Sequence, residues 1–217
     1  GTTTISQDER NHFDVNVTAQ QTVASVCAEK NARVLYFSTV HIYNGGNSRS
    51  KESDETKPSD VYALSKKMGE EVYEFYARKY GLSAVVLRLG SVYGPGHRKG
   101  VVYTMTTSLK DRGMIEITRQ KIVLDLVYVD DVLLAIQQAI RHPKKGFHLF
   151  NITGGAAVEL AVLARLIAGW RQVVRVERKA HPAVISVSIA KSKKELTFVP
   201  RVPLAKGLQG TLTSYTI

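Results

Sequence analysis

The sequence predicts an α/β fold with a doubly wound parallel β-sheet, which is a parallel sheet covered by helices on both faces. Two observations predict it. Strand-like and helix-like segments alternate along the chain, and strand-like segments such as 34–37 and 84–87 are apolar without interruption. Strands that are apolar on both faces are typical of parallel sheets buried between two helical layers. At 217 residues, 44% of them hydrophobic, the chain is long enough for a full core.

The first half of the chain predicts two helices around one strand. Apolar residues recur at helical spacing over 8–30, and an apolar strand follows at 33–37. The segment 44–58 is polar and rich in Gly and Ser, which predicts a loop. A second helix is predicted over about 60–80, with Ser59 as its N-cap. The apolar stripe of this helix consists of Val61, Leu64, Met68, Val72, Phe75 and Tyr76.

The second half continues the alternation of strands and helices. The segment SAVVLRLGSVYGPG, residues 83–96, predicts a strand that ends in a Gly-Pro turn. Asp130 and Asp131 open a helix and are most simply its caps. The remaining predicted elements are a helix at 101–112, strands at 122–129 and 147–152, and helices at 157–169 and 203–214.

Composition and charge narrow the classes of partner. The net charge of +11 indicates an anionic partner, which could be a nucleic acid, a membrane surface or a phosphorylated small molecule. No apolar run reaches the ~18 residues of a membrane helix, and no nucleic-acid recognition motif accompanies the basic residues. Cys27 is the only cysteine, which favours a cytoplasmic protein. The six histidines lack the spacing of a metal site, so we expect no metal.

Polar side chains that can carry out acid/base chemistry meet where the first strand ends. Ser38 and Thr39 follow the apolar strand directly, at the sheet edge where ligands collect in open parallel sheets. Tyr62 and Lys66 are four residues apart on the next helix and therefore share one face. A nearby ammonium lowers the pKa of a phenol, so the pair could serve as a general acid/base, with Thr39 holding a substrate hydroxyl.

Several segments in order make the chain resemble a known family, the extended short-chain dehydrogenase/reductases of the NAD(P)-dependent epimerase/dehydratase group. They are YALSKKMGEEVYEFYARKYGLSAVVLRLGSVYGPG, LDLVYVDDV, FNITGG, the segment ending in STVHIY and the segment beginning with SIAKSKKEL. The resemblance implies a Rossmann-like fold, NAD or NADP as cofactor, and a homodimer formed through the helices at 8–30 and 60–80. Thr39, Tyr62 and Lys66 match the family's catalytic residues. Lys66 and Ser38, with the backbone of Tyr93, Gly94 and Pro95, would bind the cofactor.

One departure from the family concerns the cofactor site. The Gly-x-x-Gly-x-x-Gly turn that receives the dinucleotide pyrophosphate is not present, and we interpret GPGHRKG at 94–100 as a false match. We therefore expect the 217 residues to be an incomplete record of a longer protein. The resemblance divides the chain into the remainder of a dinucleotide-binding domain (1–93 and 125–152) and a substrate-binding α/β subdomain (94–124 and 153–217).

Other departures concern the substrate. Val40 and His41 replace the Asp and Glu of the family's 4,6-dehydratases, which disfavours dehydration. His41 is either an acid/base or a hydrogen-bonded wall of the pocket. Ser91 and Leu124 replace an Asn and an Arg that commonly contact nucleotide sugars, whereas Arg178 stands at the spacing of a diphosphate-binding Arg in 4-epimerases. We count Thr39, His41, Ser91 and Arg178 as substrate-binding residues.

Two further polar residues have roles that the sequence leaves open. Asn16 matches an Asn that orders the family's active site, and a helix-surface position is the alternative. Arg88 is expected to be a structural charge near the strand. The whole pattern favours an epimerase that acts on a sugar activated as a nucleotide sugar, with Tyr62 as acid/base. The alternatives are an NADPH-dependent carbonyl reductase and a non-catalytic binding protein that kept the fold.

Overall fold

The computed structural model describes residues 9–43, 49–143, 145–169, 171–176 and 183–215. A π-helical turn (Asp14–Thr18) joins the first two helices, and a 3₁₀ turn (Val40–Tyr43) follows the first strand. The helices are α1 (Glu9–Phe13), α2 (Ala19–Glu29), α3 (Val61–Tyr80), α4 (Gly100–Arg112), α5 (Val129–Arg141), α6 (Leu160–Ala168), α7 (Ala190–Glu195) and α8 (Leu204–Ser214). The strands are β1 (Arg33–Thr39), β2 (Ser83–Leu89), β3 (Ser91–Tyr93), β4 (Met114–Thr118), β5 (Ile122–Tyr128), β6 (Phe147–Ile152), β7 (Ala157–Glu159), β8 (Gln172–Val176) and β9 (Ala183–Val184).

The main sheet is parallel, with the strand order β1-β2-β6. In its register Tyr36 pairs with Val86, which in turn pairs with Leu149. Alternate side chains of β2 point to opposite faces. Val85 and Leu87 pack with residues of α5, and Ala84 and Val86 pack with residues of α2 and α3. The sheet is therefore covered by helices on both faces, which confirms the predicted α/β fold with a parallel sheet.

Smaller sheets lie in the second half of the chain. β5 pairs in parallel with β3 and β9 and antiparallel with β7, while β4 pairs in parallel with β8. The predicted single strand over 83–96 is two strands that join different sheets. They separate at Gly90, where a Cβ atom would collide with the backbone carbonyl of Asp125. The two-part division of the chain remains a proposal, and its boundary at 124/125 falls inside β5.

Several boundaries differ from the sequence predictions. The N-cap of α3 is Asp60 and not Ser59, because the Asp60 carboxylate accepts a 2.7 Å hydrogen bond from the Ala63 backbone N–H. Asp131 does not cap its own helix. Its carboxylate accepts hydrogen bonds from the backbone N–H groups of Arg201 and Val202 before α8, at 2.7 and 3.3 Å.

The predicted buried stripe of α3 was wrong. The side of the helix that packs on the sheet is largely polar, while the predicted apolar residues are half-buried or exposed. The buried residues are Ala63, Ser65, Lys66, Gly69, Glu70 and Tyr73. Hydrophobic spacing alone identified the wrong face, because the polar side chains on the buried face find partners in the sheet.

Four short strands were not predicted, namely β4, β7, β8 and β9. β7 occupies the start of the predicted helix at 157–169, so that α6 begins only at Leu160. Strands of two to five residues carry too little periodicity to be recognised from a single sequence. Among the described residues, no helix combines the length and the apolar composition that a membrane span requires.

Candidate active site

A cavity of about 430 Å³ opens at the carboxyl ends of β1 and β2. This is the sheet edge at which ligands bind in open parallel α/β folds. The start of α3 and the segment leading into α4 close its sides. The lining residues are Phe37, Ser38, Thr39, His41, Tyr62, Lys66, Leu89, Gly90, Ser91, Val92, His97, Lys99, Gly100, Val101 and Leu124.

The side chains of Thr39 and Tyr62 meet in the wall of the cavity, where the Thr39 hydroxyl acts to lower the pKa of Tyr62. Thr39 is the last residue of β1 and is buried, and its hydroxyl oxygen also accepts the backbone N–H of His41 at 3.2 Å. Tyr62 lies in the first turn of α3, directly after the Asp60 cap. The structure therefore brings together the two hydroxyls that the sequence placed at the end of β1 and the start of the next helix.

Lys66 lies one turn after Tyr62 and is buried, with 6% of its surface exposed. Its ammonium donates a 3.0 Å hydrogen bond to the backbone carbonyl of Phe37 and lies 5.0 Å from the centre of the Tyr36 ring. Burial lowers the pKa of Lys66 to about 8. The ammonium is therefore mostly protonated near neutral pH and is held at the edge of the cavity.

The pKa of Tyr62 differs from the sequence-based expectation. Burial raises it, the hydrogen bond with Thr39 opposes that rise, and the negative charge of Asp60 adds to it. We expected the Lys66 ammonium to lower this pKa. In the structure the loss of hydration outweighs other effects, so the Tyr62 phenol is protonated near neutral pH.

Three more of the predicted residues, Ser38, His41 and Ser91, line the same cavity. The Ser38 hydroxyl is buried and has no hydrogen-bond partner among the described residues. Burial lowers the pKa of His41, with the Asp60 carboxylate acting in the opposite direction, so His41 is neutral near neutral pH. Leu124 contributes an apolar part of the cavity wall. It replaces the Arg that the sequence analysis noted for nucleotide-sugar enzymes.

The other predicted residues lie elsewhere. Tyr93 is buried in the core next to β5, where its ring packs 5.4 Å from the ring of Tyr128 and its phenol contacts Gly207. Tyr93, Gly94 and Pro95 are not among the described residues that line the cavity, which is lined by 89–92 just before them. Arg178 lies outside the described residues.

Sequence reasoning missed two basic residues of the cavity, His97 and Lys99. Both belong to GPGHRKG, the segment interpreted as a false match for a glycine-rich cofactor motif. In the structure this segment leads into α4, with Lys99 as the residue before the helix. A run of basic residues between a strand end and a helix start is the signal that could have identified them.

Asn16 connects the π-helical turn to the active site. Its side-chain amide donates a 3.0 Å hydrogen bond to the Ser65 hydroxyl, which donates to the backbone carbonyl of Tyr62 at 2.9 Å. The ring of His12 also contacts the ring of Tyr62, with 5.8 Å between ring centres. These contacts support the interpretation that Asn16 orders the active site, because Asn16 is buried and not at the helix surface.

A buried ion pair fixes α3 on the sheet. Arg88 on β2 donates to both carboxylate oxygens of Glu70 on α3, at 2.9 and 2.7 Å. A third guanidinium N–H donates to the Tyr43 phenol at 2.6 Å. Both charged side chains are no more than 3% exposed. Arg88 therefore has the structural role expected of it, and Glu70 is the partner that the sequence did not identify.

Asn151 at the end of β6 extends this network with five hydrogen bonds. Its side-chain oxygen accepts the Tyr43 phenol at 2.9 Å, and its side-chain amide donates to the carbonyls of Ser50 and Ser188. Its backbone N–H donates to Glu52, and its carbonyl accepts the hydroxyl of Ser192. The loop after β1, the end of β6 and the start of α7 are thus tied together behind the cavity.

The chain is similar in sequence to known proteins. UDP-glucuronate 4-epimerase 6 of Arabidopsis thaliana is 25% identical over 195 residues, which cover 79% of this chain and 42% of that protein. The dTDP-glucose 4,6-dehydratase of Streptomyces griseus is 29% identical over 210 residues, which cover 92% of this chain and 64% of that protein. This chain spans about half the length of most of the curated relatives that it matches.

Solved structures share the fold and a larger part of the length. The dTDP-glucose 4,6-dehydratase DesIV of Streptomyces venezuelae, solved with NAD bound, superposes with a TM-score of 0.89 at 27% identity, covering 100% of this chain and 71% of that one. The UDP-glucose 4-epimerase of Thermotoga maritima, solved with UDP-glucose, gives 0.85 at 26% identity, covering 97% and 72%. The family model described as "NAD dependent epimerase/dehydratase family" matches residues 3–153. Because this match covers more than half of the sequence, the chain belongs to the NAD dependent epimerase/dehydratase family.

Proposed function

We propose that the protein is an NAD(P)-dependent epimerase of nucleotide sugars, with Thr39, Tyr62 and Lys66 as its catalytic residues. The observation that carries this proposal is that Thr39, Tyr62 and the buried Lys66 line one cavity, with Lys66 one helical turn after Tyr62. Epimerisation requires a group that removes the proton of a sugar hydroxyl and later returns it, and a tyrosine that alternates between phenolate and phenol can do both.

Tyr62 is the acid/base in this proposal. Thr39 already uses its oxygen to accept the His41 N–H, so its O–H can donate to the Tyr62 oxygen. This hydrogen bond stabilises the phenolate and therefore opposes the rise in pKa that burial causes. In its phenolate form, Tyr62 would take the proton of a substrate hydroxyl placed between the two side chains, and Thr39 would hold that hydroxyl in line.

Lys66 supports the ionised form of Tyr62. Its ammonium is mostly protonated near neutral pH, with a pKa of about 8, and it shares a helix face with the phenol. A positive charge on this face stabilises the phenolate, and neutral His41 adds no competing charge. We expect the effect to be largest when substrate fills the cavity and excludes water from the pair.

The lining of the cavity fits a dinucleotide cofactor on one side. The Ser38 hydroxyl, without a partner among the described residues, and the Lys66 ammonium are buried polar groups that a ribose could satisfy. NAD or NADP, when bound there, would supply the hydride acceptor and donor. The chain's own contribution is to orient the reacting carbon and to move the proton at the Tyr62 oxygen.

Several residues are proposed to select the substrate. Ser91 and His41 are polar groups of the cavity wall, and Lys99 adds a positive charge that would attract a diphosphate. Arg178 remains a proposed diphosphate ligand on the basis of its sequence spacing. Val40 and His41 lack the carboxylates needed for elimination of water, so we propose epimerisation and not 4,6-dehydration.

A homodimer is part of this proposal. The side of α3 that faces away from the sheet carries apolar residues among its charged ones, and Leu64, Phe75 and Tyr80 are 42%, 42% and 52% exposed. Phe75 and Tyr80 line a groove of about 480 Å³ between α3 and the π-helical turn with α2. Exposed apolar surface of this kind is typical of an interface, and a second copy of the same helices would cover it.

The experiment that tests the function uses the intact protein with UDP-glucose, UDP-glucuronic acid and dTDP-glucose, each with NAD or NADP. Nuclear magnetic resonance of the sugar distinguishes a 4-epimer from a 4-keto-6-deoxy product. Formation of an epimer without net consumption of cofactor supports the proposal. Loss of one NADPH for each product would identify a reductase instead. Full activity in the variant Tyr62→Phe would contradict the assigned acid/base.

A further inference from the structure

A cluster of metal-binding side chains lies at the end of the main sheet opposite to the cavity. His142 follows α5 directly, His148 is the second residue of β6, and Glu195 is the last residue of α7. One ligand atom from each lies within 4.8 Å of the other two. The sequence analysis expected no metal because the six histidines lack the spacing of a metal site. His142 and His148 are six residues apart, and the fold brings the distant Glu195 to them.

The imidazole of His148 has one ring nitrogen fixed by a backbone carbonyl. Its Nε2 lies 2.9 Å from the backbone carbonyl of Lys145, and because a carbonyl can only accept, the Nε2–H must donate. The lone pair then belongs to Nδ1. Metal-binding histidines usually donate their second N–H to a carbonyl or carboxylate in this way, which fixes both the tautomer and the ring orientation.

The second imidazole, that of His142, is positioned by hydrogen bonds of the His142 backbone and by contacts of its ring. The carbonyl of His142 accepts a 2.7 Å hydrogen bond from Arg33, and its N–H donates to the Ala139 carbonyl at 3.2 Å. The rings of His142 and His148 are 4.5 Å apart, and the Phe150 ring packs against His142 at 5.6 Å. His142 is buried, whereas His148 and Glu195 are half-buried, so an ion can enter from solvent.

We propose that His142, His148 and Glu195 form a binding site for Zn²⁺. Two imidazole nitrogens and one carboxylate oxygen are ligands that zinc prefers, and a water molecule would complete a tetrahedron. Zinc–ligand bonds of about 2.0–2.1 Å place the ligand atoms of a tetrahedral site roughly 3.3 Å apart. The observed limit of 4.8 Å can close to that value through rotation of the half-exposed Glu195 and His148 side chains.

Positive charges near the site limit its affinity. Arg33 is bound to the His142 carbonyl, and the Lys191 ammonium lies 5.1 Å from the centre of the Phe150 ring. Repulsion from these charges makes a dissociation constant on the order of micromolar the expectation, weaker than that of structural zinc sites with thiolate ligands. The bound ion would join the end of α5, the start of β6 and the end of α7, and so stabilise the fold remote from the cavity.

The test is a titration of the intact, untagged protein with Zn²⁺ against a chromophoric chelator of known affinity. We expect one ion per chain, and we expect His148→Gln and Glu195→Gln each to weaken binding at least tenfold. Both residues are half-buried, so these variants should fold, which circular dichroism checks. The matched control is His97→Gln, which removes an imidazole from the far end of the molecule and should leave zinc binding unchanged.

A spectroscopic measurement tests the coordination geometry of the bound ion, which the affinity does not report. Co²⁺ in place of Zn²⁺ should give the intense visible absorption of a tetrahedral site, and the absorption should be lost in Glu195→Gln. Equal zinc affinities in the parent, His148→Gln and Glu195→Gln would overturn the proposal. A weak, octahedral Co²⁺ spectrum in the parent would also overturn it. Neither outcome depends on the proposed epimerase activity.

Discussion

The two faces of α3 differ in composition, and in the opposite sense to most helices: the buried face carries charged and polar residues, and the outer face carries exposed apolar ones. The face against the sheet carries Ser65, Lys66 and Glu70, all of them buried, whereas Leu64 and Phe75 on the other face are 42% exposed. Buried polar groups are tolerated only when each one has a partner. The difference teaches that this helix is positioned by specific polar contacts to the sheet, while several of its apolar side chains are exposed.

Each polar group of the buried face has a partner on β1, β2 or the π-helical turn. Lys66 binds the Phe37 carbonyl, Glu70 binds Arg88, and the Ser65 hydroxyl accepts the Asn16 amide. Because hydrogen bonds are directional, these contacts set the rotation of α3 about its axis more narrowly than apolar packing would. Tyr62 belongs to the same helix, so its position relative to Thr39 depends on them.

The largest expected effect concerns the phenol of Tyr62. In the substitution Tyr62→Phe the ring remains and the acid/base is lost, so we expect kcat for epimerisation to fall about 10²–10⁴-fold. The matched control on the opposite face is Tyr80→Phe, which should keep kcat within twofold of the parent, about the precision of such an assay. Steady-state kinetics with the best nucleotide sugar measures both. Similar losses in the two variants would mean that the faces do not differ in function.

The next effect is on stability and tests the buried polar face. Glu70→Gln leaves the Arg88 guanidinium buried without a counter-charge, which should lower the free energy of unfolding by about 3–5 kcal/mol. Glu74→Gln, at an exposed position of the same helix, should change it by less than about 0.5 kcal/mol. Urea denaturation measures both values. A loss below about 1 kcal/mol in Glu70→Gln would show that the ion pair does not hold the helix in place.

A smaller effect follows from the pKa of Lys66. Its folded-state pKa of about 8 lies below the ordinary value of 10.5, so the unfolded chain binds the proton more tightly between these values. The Lys66 contribution to stability therefore rises as pH increases through this window. Between pH 8 and 10 we expect a gain of about 1–2 kcal/mol in the parent and none in Lys66→Met.

Denaturation midpoints across this pH range provide the measurement. Buried tyrosines act in the opposite direction only at higher pH, because burial raises the pKa values of Tyr36 and Tyr73 above their ordinary value of 10.0. Their contribution is fully present below pH 10 and is lost above it. A parent protein whose stability does not change from pH 8 to 10 would contradict the lowered pKa of Lys66.

The smallest effect on the folded chain itself is expected at the exposed apolar face. Phe75→Glu places a charge on the proposed dimer interface, so the molar mass from light scattering should fall to that of a monomer. The unfolding free energy of the monomer should change by less than about 0.5 kcal/mol, because Phe75 is not part of the core. An exposed-face control is Glu74→Gln, which should leave the assembly state unaltered. A parent that is monomeric at micromolar concentration would contradict the proposed interface.

Much of the fold could be predicted from the sequence, and the reason is visible in β2. Its uninterrupted apolar run is buried on both faces in the centre of the sheet, which is the condition that produces such a run. Tyr62 and Lys66 could be expected on one face because they are four residues apart on one helix, and the resemblance to the family added Thr39 to them. Their roles remain predictions until the variants are measured.

Other features could not be predicted because they depend on contacts between distant residues. The buried face of α3 was misassigned because Glu70 is paired with Arg88, and no local pattern reveals that pairing. The raised pKa of Tyr62 depends on how much water the fold removes, which spacing does not report. Likewise, Asp131 was expected to be a cap, but its partners are Arg201 and Val202, brought near by the whole domain.

The hydrogen bonds of Asn151 limit the residues that can replace it at this position. Its side chain gives two donors and an acceptor to three separate segments, and only an amide of this length provides both kinds of group at that reach. Aspartate would set a negative oxygen against two carbonyls, while glutamine would add a methylene to a filled site. In a saturation library scored for folded protein, we expect position 151 to accept fewer residues than positions 39 and 62, because the proposed roles of Thr39 and Tyr62 are in turnover and not in holding the fold together.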